Sequence, residues 1–208
     1  EYRDKAEEGL RRVKKAAGEG IMDAVLVMAQ IHDEGGPRQD MKECMHWLNI
    51  AAEKGNKNAQ CRLGQILIYG RGGVERDPQK GYHWLTFSAQ QGYTPAIYIL
   101  AELNLLYTNS NQEAMRMGLN QLTQCIKESY PPAFMLMGQC YLEGRAVVKD
   151  NAQAVKFFQL SAEHGNINAE LLLAKLYNGE VEGADFETNA EEAKKWLQQI
   201  QDEQSPTP

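Results

Sequence analysis

One fourteen-residue pattern recurs along the chain, and this repeat constrains the fold more than any other feature. Residues 51–64 are AAEKGNKNAQCRLG and residues 161–174 are SAEHGNINAELLLA. A catalytic motif is usually written once, whereas recurrence at a fixed period is typical of a repeat architecture. The alanine after the second asparagine of this pattern serves as the anchor, and its equivalents are Ala24, Ala59, Ala96, Ala133 and Ala169. The anchors are 35, 37, 37 and 36 residues apart, so the chain contains five units of nearly equal length.

Four further columns keep their chemical character from unit to unit. Four residues before the anchor stand Gly20, Gly55, Gly92, Ser129 and Gly165. Five residues after the anchor every unit has a small residue, at Ala29, Gly64, Ala101, Gly138 and Ala174. A second block has an aromatic column, with one departure, at Trp47, Trp84, Gln121, Phe157 and Trp196. Three residues earlier the column is small again, at Cys44, Gly81, Gly118, Ala154 and Ala193.

Each unit contains two patterns with helical spacing. In the first, helix A, apolar residues recur at offsets 0, 4, 7 and 8 from the anchor, which marks one face of an α-helix. A loop such as YGRGGVERDP (69–78) follows, and an aspartate (Asp40, Asp77 or Asp150) stands where the next N-cap is expected. The second pattern, helix B, ends at the glycine column, where glycine can take the left-handed conformation. The small columns predict that neighbouring helix backbones approach closely.

The repeat predicts an all-α fold of about eleven helices, because residues 1–19 fit as one leading B helix. We expect one array over 1–203, consisting of this half repeat and repeats at 20–55, 56–92, 93–128, 129–165 and 166–203. A disordered tail is expected at 204–208. Repeat three is irregular, since YTNSNQEA (107–114) replaces the glycine loop and ESYPPA (128–133) replaces the glycine turn.

Four segments carry a resemblance to a known family. They are HWLNIAAEKGNKNAQ (46–60), YGRGGVERDPQKGYHWL (69–85), YLEGRAVVKDNAQAVKFFQLSAEHGNINA (141–169) and LYNGEVEG (176–183). Together they resemble the Sel-like repeat family, a relative of the tetratricopeptide repeats, over about 20–203. The resemblance implies a right-handed α-solenoid of stacked helix hairpins that serves as a scaffold or adaptor for other proteins.

Composition narrows the class of partner. The chain has a net charge of −6, and its lysines and arginines are scattered, which argues against a nucleic-acid-binding surface. No apolar run approaches the roughly 20 residues of a transmembrane helix. Because the chain opens with Glu1, we expect a trimmed piece whose signal peptide, if it has one, lies upstream. The compartment stays open, with the cytoplasm favoured over the bacterial periplasm or secretion.

The four cysteines are compatible with two disulfides in an oxidising compartment, as in secreted members of the family that the chain resembles. Each cysteine, however, stands in a column that other units fill with small or apolar residues. Cys44 shares its column with glycine and alanine, and Cys125 shares its column with alanine and serine. Cys61 and Cys140 align with apolar side chains such as leucine and isoleucine. The columns therefore favour buried thiols over disulfides.

No pattern asks for catalysis. His46 and His83 occupy the same repeat position, whereas a metal site needs three or four converging ligands. The loop GRGGVERD (70–77) lacks the Lys-Ser/Thr pair and the preceding strand of a phosphate-binding loop. We therefore expect no enzyme activity, no metal and no cofactor.

Function is expected on the A helices, which line the concave face of such solenoids. At offset 6 the units carry long polar residues, and at offset 2 they carry apolar ones such as Leu26 and Cys61. This combination suits an extended peptide or a partner helix, although offset 2 could equally be core with offset 6 as its wet edge. The candidate partner-binding residues, which include two from the irregular loop of repeat three, are Gln30, Gln65, Tyr98, Glu102, Tyr107, Asn109, Met135, Gln139 and Lys175.

The two ends of the array differ. The apolar face of the first helix (Leu10, Val13, Ala17) is expected to meet upstream residues or a second copy, which would give a homodimer. The last helix has Trp196, Leu197 and Ile200 on one side and Glu, Lys and Gln elsewhere, which is the pattern expected of a helix that caps the end of the array.

Three hypotheses follow. The favoured one is a non-enzymatic adaptor that binds a protein or peptide partner on its concave face. The second is a secreted, disulfide-bearing protein that binds small molecules or peptidoglycan-related ligands. The third is a bacterial envelope assembly component, which would share the adaptor mechanism.

Overall fold

The computed structural model describes residues 2–33, 40–108, 111–181 and 187–204, which form eleven α-helices and no strand. The helices are α1 (Tyr2–Gly18), α2 (Met22–Asp33), α3 (Met41–Glu53), α4 (Lys57–Tyr69), α5 (Pro78–Gln90), α6 (Thr94–Leu106), α7 (Gln112–Lys127), α8 (Pro131–Glu143), α9 (Asn151–Glu163), α10 (Ile167–Tyr177) and α11 (Ala190–Gln204). This count confirms the all-α fold predicted from the repeat. The first helix is the leading B helix, and A and B helices alternate after it.

The chain divides into two compact units, residues 1–100 and 101–208, each of which is larger than one repeat. In the first unit the core is formed by Val25, Leu48 and Leu63, each at most 1% exposed. In the second unit Phe158 and Leu173 are fully buried at the centre of a similar cluster. In the first unit α2 packs against α3 and α4 against α5, and in the second α8 packs against α9 and α10 against α11, so the apolar stripes predicted at helical spacing face each other.

The predicted N-caps begin the B helices. Asp40 Oδ1 accepts a hydrogen bond from the backbone N–H of Lys42 at 2.9 Å. Asp77 and Asp150 do the same at the starts of α5 and α9, at 3.0 and 2.9 Å. Each carboxylate satisfies an N–H that has no partner inside its own helix. The aspartate column is thus confirmed as the signal that starts helix B.

At the joint between two repeats, one set of hydrogen bonds ends the first helix and another begins the next helix. Gly55 has a φ of 85°, and the N–H of Asn56 donates to the carbonyl of Ala51 at 3.0 Å, which closes helix α3. Asn56 then caps helix α4 by accepting from the N–H of Ala59 at 3.0 Å. The Gly-Asn pair of the repeated pattern therefore ends one helix and begins the next.

The small columns allow helix backbones to touch. A methyl group on Gly81 of α5 would lie 2.6 Å from Ile68 Cγ1 and 2.8 Å from the carbonyl oxygen of Gly64 in α4. Gly64 meets the same limit from the other side, because its methyl group would lie 2.9 Å from the carbonyl oxygen of Gly81. Contact at this range leaves room only for hydrogen, which explains why both columns hold small residues.

The loop that follows α4 is a structural hairpin connection. Gly70 adopts a φ of 69°, and Arg71–Gly73 form a single 3-10 turn. Arg76 Nε donates to the carbonyl of Ile68 at 2.9 Å, and the N–H of Asp77 donates to the carbonyl of Leu67 at 2.9 Å. These bonds tie the loop to the end of α4, so its glycines shape a turn.

Repeat three keeps its helix pair by a coupled replacement. Tyr141 stacks on Phe157 in repeat four, with ring centroids 5.7 Å apart. At the equivalent positions of repeat three, Asn104 Nδ2 donates to Gln121 Oε1 at 3.0 Å. An amide pair thus takes the place of an aromatic pair. In the irregular loop of repeat three, the candidate residue Asn109 lies outside the described residues.

At the N-terminal end, the apolar face of α1 packs into the core of its own unit. Ala17 is buried, and Leu10 and Val13 are half-buried against the same cluster. A homodimer through this helix stays a prediction.

The C-terminal helix differs from its prediction at one residue. Trp196 packs against the second core, but Leu197 points partly outward and is 40% exposed. The residues 205–208 of the predicted tail lie outside the described part of the chain.

Candidate functional site

An open groove in the first unit lies between α2, α4 and the start of α6. Its cavity volume is about 440 Å³. The residues that line its walls include Leu26, Gln30, Asn58, Cys61, Arg62, Gln65, Tyr93 and Pro95. We call this cavity the α2–α4 groove. It falls within the range of volumes that small-molecule and peptide-segment sites occupy.

Helical spacing explains why these residues share the groove. On α4, Asn58, Cys61, Arg62 and Gln65 stand at positions i, i+3, i+4 and i+7, so they form one stripe. This stripe lies beside the anchor Ala59, which is buried. Burial of the anchor face of α4 therefore also determines which of its side chains line the groove.

Arg62 is the one charged side chain among the described lining residues. It forms an ion pair with Asp33, at the C-terminal end of α2. The Asp33 side chain is 6% exposed, whereas the Arg62 side chain is 46% exposed. Burial, with the positive charge of Arg71, lowers the pKa of Arg62 from its ordinary value. The guanidinium nevertheless stays charged at physiological pH.

The remaining lining residues offer hydrogen bonds and apolar contact. Burial raises the pKa of the Cys61 thiol to about 12, so this cysteine is protonated and unreactive near neutrality. Burial, with a contribution from Cys61, also raises the pKa of Tyr93. Lys57 Nζ lies 5.7 Å from the centroid of the Tyr93 ring. The groove therefore offers hydrogen-bonding and apolar side chains, and none of its described side chains is an activated nucleophile.

The nine candidate residues predicted from the sequence fall in different places. Gln30 and Gln65 line the α2–α4 groove together. Tyr98 is half-buried on α6, and Asn109 lies outside the described residues.

The other candidates belong to the second unit. Glu102 and Gln139 are half-buried, Lys175 is exposed and Tyr107 is 66% exposed. Met135 packs against the core of the second unit. Its position shows that offset 2 is partly core.

Reasoning by columns missed Arg62 and Asp33, although the sequence contains a signal for both. At the position of Arg62 the other units have aliphatic residues, namely Val27, Ile99, Leu136 and Leu172. At the position of Asp33 they have Ile68, Leu105, Leu142 and Asn178. Two departures from apolar columns in neighbouring units thus form one ion pair. A search for charged members of apolar columns would have found them.

The cysteines behave as their columns predict. All four lie in described helices, and each is a buried thiol. Burial raises the pKa of Cys44, Cys125 and Cys140 to about 11. Among the described residues, no three His, Cys, Asp or Glu side chains converge as metal ligands would. None of the described helices combines the length and apolar character that a membrane span requires.

Comparison with known proteins identifies the repeat. The Sel1 repeat family model matches residues 23–56, 57–93, 132–166 and 167–200, which leaves the irregular third unit unmatched. No curated protein is significantly similar to the chain in sequence.

Solved structures show the same fold at low sequence identity. A Sel1 repeat protein from Oxalobacter formigenes is 21% identical with a TM-score of 0.81, over 98% of this chain and 79% of that one. A protective antigen of uropathogenic Escherichia coli with this fold is 24% identical with a TM-score of 0.74, over 90% of this chain and 39% of that one. An immunity protein from Pseudomonas aeruginosa is 14% identical with a TM-score of 0.63, over 96% of this chain and 79% of that one.

Proposed function

The chain belongs to the Sel1 repeat family, and on that premise we propose that it is a non-enzymatic adaptor that binds a protein or peptide partner through its A helices. Sel1 repeat proteins are generally protein-interaction scaffolds. The solved structures resemble this chain in fold alone, so the partner has to be argued from the chain's own side chains.

One observation carries the proposal. The α2–α4 groove brings Gln30 and Gln65, members of the predicted polar column, together with Leu26 and Cys61 of the predicted apolar column. Side-chain amides can donate to and accept from a peptide backbone, and the apolar residues can contact its side chains.

Site-specific crosslinking tests the proposal. A photo-crosslinking amino acid at Gln65 should capture a protein partner in the cells that produce the chain, and mass spectrometry then identifies the partner. The matched control places the same amino acid at Lys42, which is exposed on the B helix α3 and outside the groove. Capture at Lys42 without capture at Gln65 would refute binding through the A helices.

A set of charge changes provides the second arm. The variant with Gln65→Lys, Glu102→Lys and Gln139→Lys should lose partner capture while its circular dichroism spectrum stays helical. Capture that persists in this folded variant would contradict binding through these A-helix residues.

The secreted, disulfide-bearing alternative gains no support from the structure. Each of the four cysteines is a buried thiol, so no bridge links them. An envelope assembly component would use the same A-helix surface and would differ from the adaptor in compartment.

A further inference from the structure

We propose that Arg62 makes the α2–α4 groove a receptor for an acidic side chain in an extended peptide. This inference rests on the proposed function and specifies the chemistry of the partner. Its grounds are the place of Arg62 in the repeat, its partner, and the charge of the groove.

The repeat gives Arg62 no architectural reason to be charged. The four other units fill this position with valine, isoleucine or leucine, and the position of Asp33 is aliphatic in three of the four others. An aliphatic pair would pack these two helices without the cost of desolvating two charges. Ion pairs of this kind are often no more stabilising than the apolar residues that could replace them. Packing alone therefore does not account for the pair.

The ion pair positions the guanidinium and leaves part of it available. Asp33 contacts Nη2 of Arg62 and is itself nearly buried, so it holds that end of the guanidinium at the groove wall. Arginine carries five N–H donors in a planar fork, of which one terminal nitrogen faces Asp33. The side chain is 46% exposed. Its other donors, Nε and Nη1, are the ones proposed to bind a second carboxylate. Asp33 is thus a positioning residue and Arg62 the group that touches the ligand.

The charge of the groove selects an acidic ligand. Arg62 is the one charged side chain in its described lining. Asp33 offsets its charge, and Arg71 adds positive charge close enough to disfavour the guanidinium cation, so the three groups together keep a positive formal charge. A bound carboxylate would relieve that repulsion and form charge-assisted hydrogen bonds, which are about twice as strong as neutral ones.

The shape of the lining indicates an extended peptide as the bearer of the carboxylate. Gln30, Asn58 and Gln65 bring to the lining amide groups, which can hydrogen-bond a main chain, and Leu26 and Pro95 add apolar contact. An acidic residue at one position of a short extended segment satisfies both parts of the groove.

Peptide selection on the purified full chain tests the inference. A displayed library of random short peptides, eluted by competition and sequenced, should show enrichment of Asp or Glu at one position. Replacing that residue by Asn or Gln in a synthetic peptide should weaken binding about ten- to hundredfold by fluorescence anisotropy, the usual range for a hydrogen bond to a charged group. The acidic preference should disappear in Arg62→Gln.

A charge-swapped variant separates recognition from folding. Arg62→Glu combined with Asp33→Arg retains an ion pair between α2 and α4 and places a carboxylate at the groove wall. This protein should select Lys or Arg at the position where the original chain selects Asp or Glu. Lys42→Glu, which makes the same change in charge as Arg62→Glu alone but on an exposed surface outside the groove, should leave the preference unchanged.

The outcomes distinguish the two proposals. If the selected peptides show no acidic position, or keep it in the charge-swapped protein, Arg62 is only structural and the further inference fails while the adaptor stands. If no selected peptide crosslinks at Gln65, the groove is not a peptide site, and both proposals fail for it.

Discussion

At the scale of single residues, the close contact between α4 and α5 depends on Gly81. We expect Gly81→Ala to destabilise the protein by about 1–3 kcal/mol, the usual cost of overpacking. The added methyl group would meet the carbonyl oxygen of Gly64 at 2.8 Å, and a backbone atom inside a helix cannot rotate away. Urea or thermal denaturation followed by circular dichroism measures the change.

Gly9 gives the matched control, because it stands in the same small column but belongs to the leading half repeat. A methyl group on Gly9 meets no atom within 4 Å. Gly9→Ala should therefore stabilise α1 by about 0.5–1 kcal/mol, the gain expected for alanine in a helix interior. Equal effects of the two substitutions would show that the small column reflects helix propensity and not close packing.

At the scale of elements, the joints between units can be tested by exchanging residues within one column. Ser129 has a φ of 54°, a left-handed conformation that costs a side-chain-bearing residue roughly 1–2 kcal/mol, whereas Gly165 reaches a φ of 76° without strain. Ser129→Gly should stabilise the protein by up to about 1 kcal/mol, since the added freedom of the unfolded chain offsets part of the relief. Denaturation midpoints measure it.

The reciprocal substitution isolates the backbone effect. A methyl group on Gly165 meets nothing within 4 Å, so Gly165→Ser introduces no steric contact at its Cβ and should destabilise by about 1 kcal/mol. If both exchanges are neutral, the conformation of this column does not limit stability.

The elements show which features could be predicted from sequence. The aspartate caps and the glycine stops depend on neighbours within a few residues, so local rules predict them. The pair Asn104–Gln121 depends on side chains seventeen positions apart. The column pattern flagged Gln121 as a departure but could not supply its partner, because that requires the packing of α6 against α7.

The candidate site was only partly predictable for the same reason. Column averages placed Gln30 and Gln65 on one surface, and the structure puts them in one groove. The same column pattern did not predict the roles of residues that differ in chemical character from the rest of their column. Glu170, fully buried and accepting from Gln199 Nε2 at 3.0 Å, is the one charged residue in a column that otherwise holds Val25, Gln60, Ile97 and Phe134. Contacts between different helices decide the role of such residues, and the pattern within one helix does not contain them.

At the scale of the whole molecule, the four thiols make stability depend on pH. Burial raises the pKa of Cys61 to about 12 and of the other three to about 11, above the 9.0 of an ordinary thiol. Below pH 9 both states hold the proton. Above it the unfolded chain loses protons that the native chain retains, so the free energy of unfolding must fall as pH rises, until the native thiols also ionise.

We therefore expect the denaturation midpoint to drop steadily between about pH 9 and pH 11. Each thiol contributes a slope of at most about 1.4 kcal/mol per pH unit. Burial also raises the pKa values of Tyr93 and Tyr177, which act in the same direction. The contribution of the thiols to the slope is therefore isolated with the double variant Cys44→Ala and Cys125→Ala, which should remove roughly half of that contribution. A thiol titration of the denatured, unreduced protein must first give four. A lower count would mean that disulfides form, and an unchanged slope in the double variant would mean that these thiols ionise alike in both states.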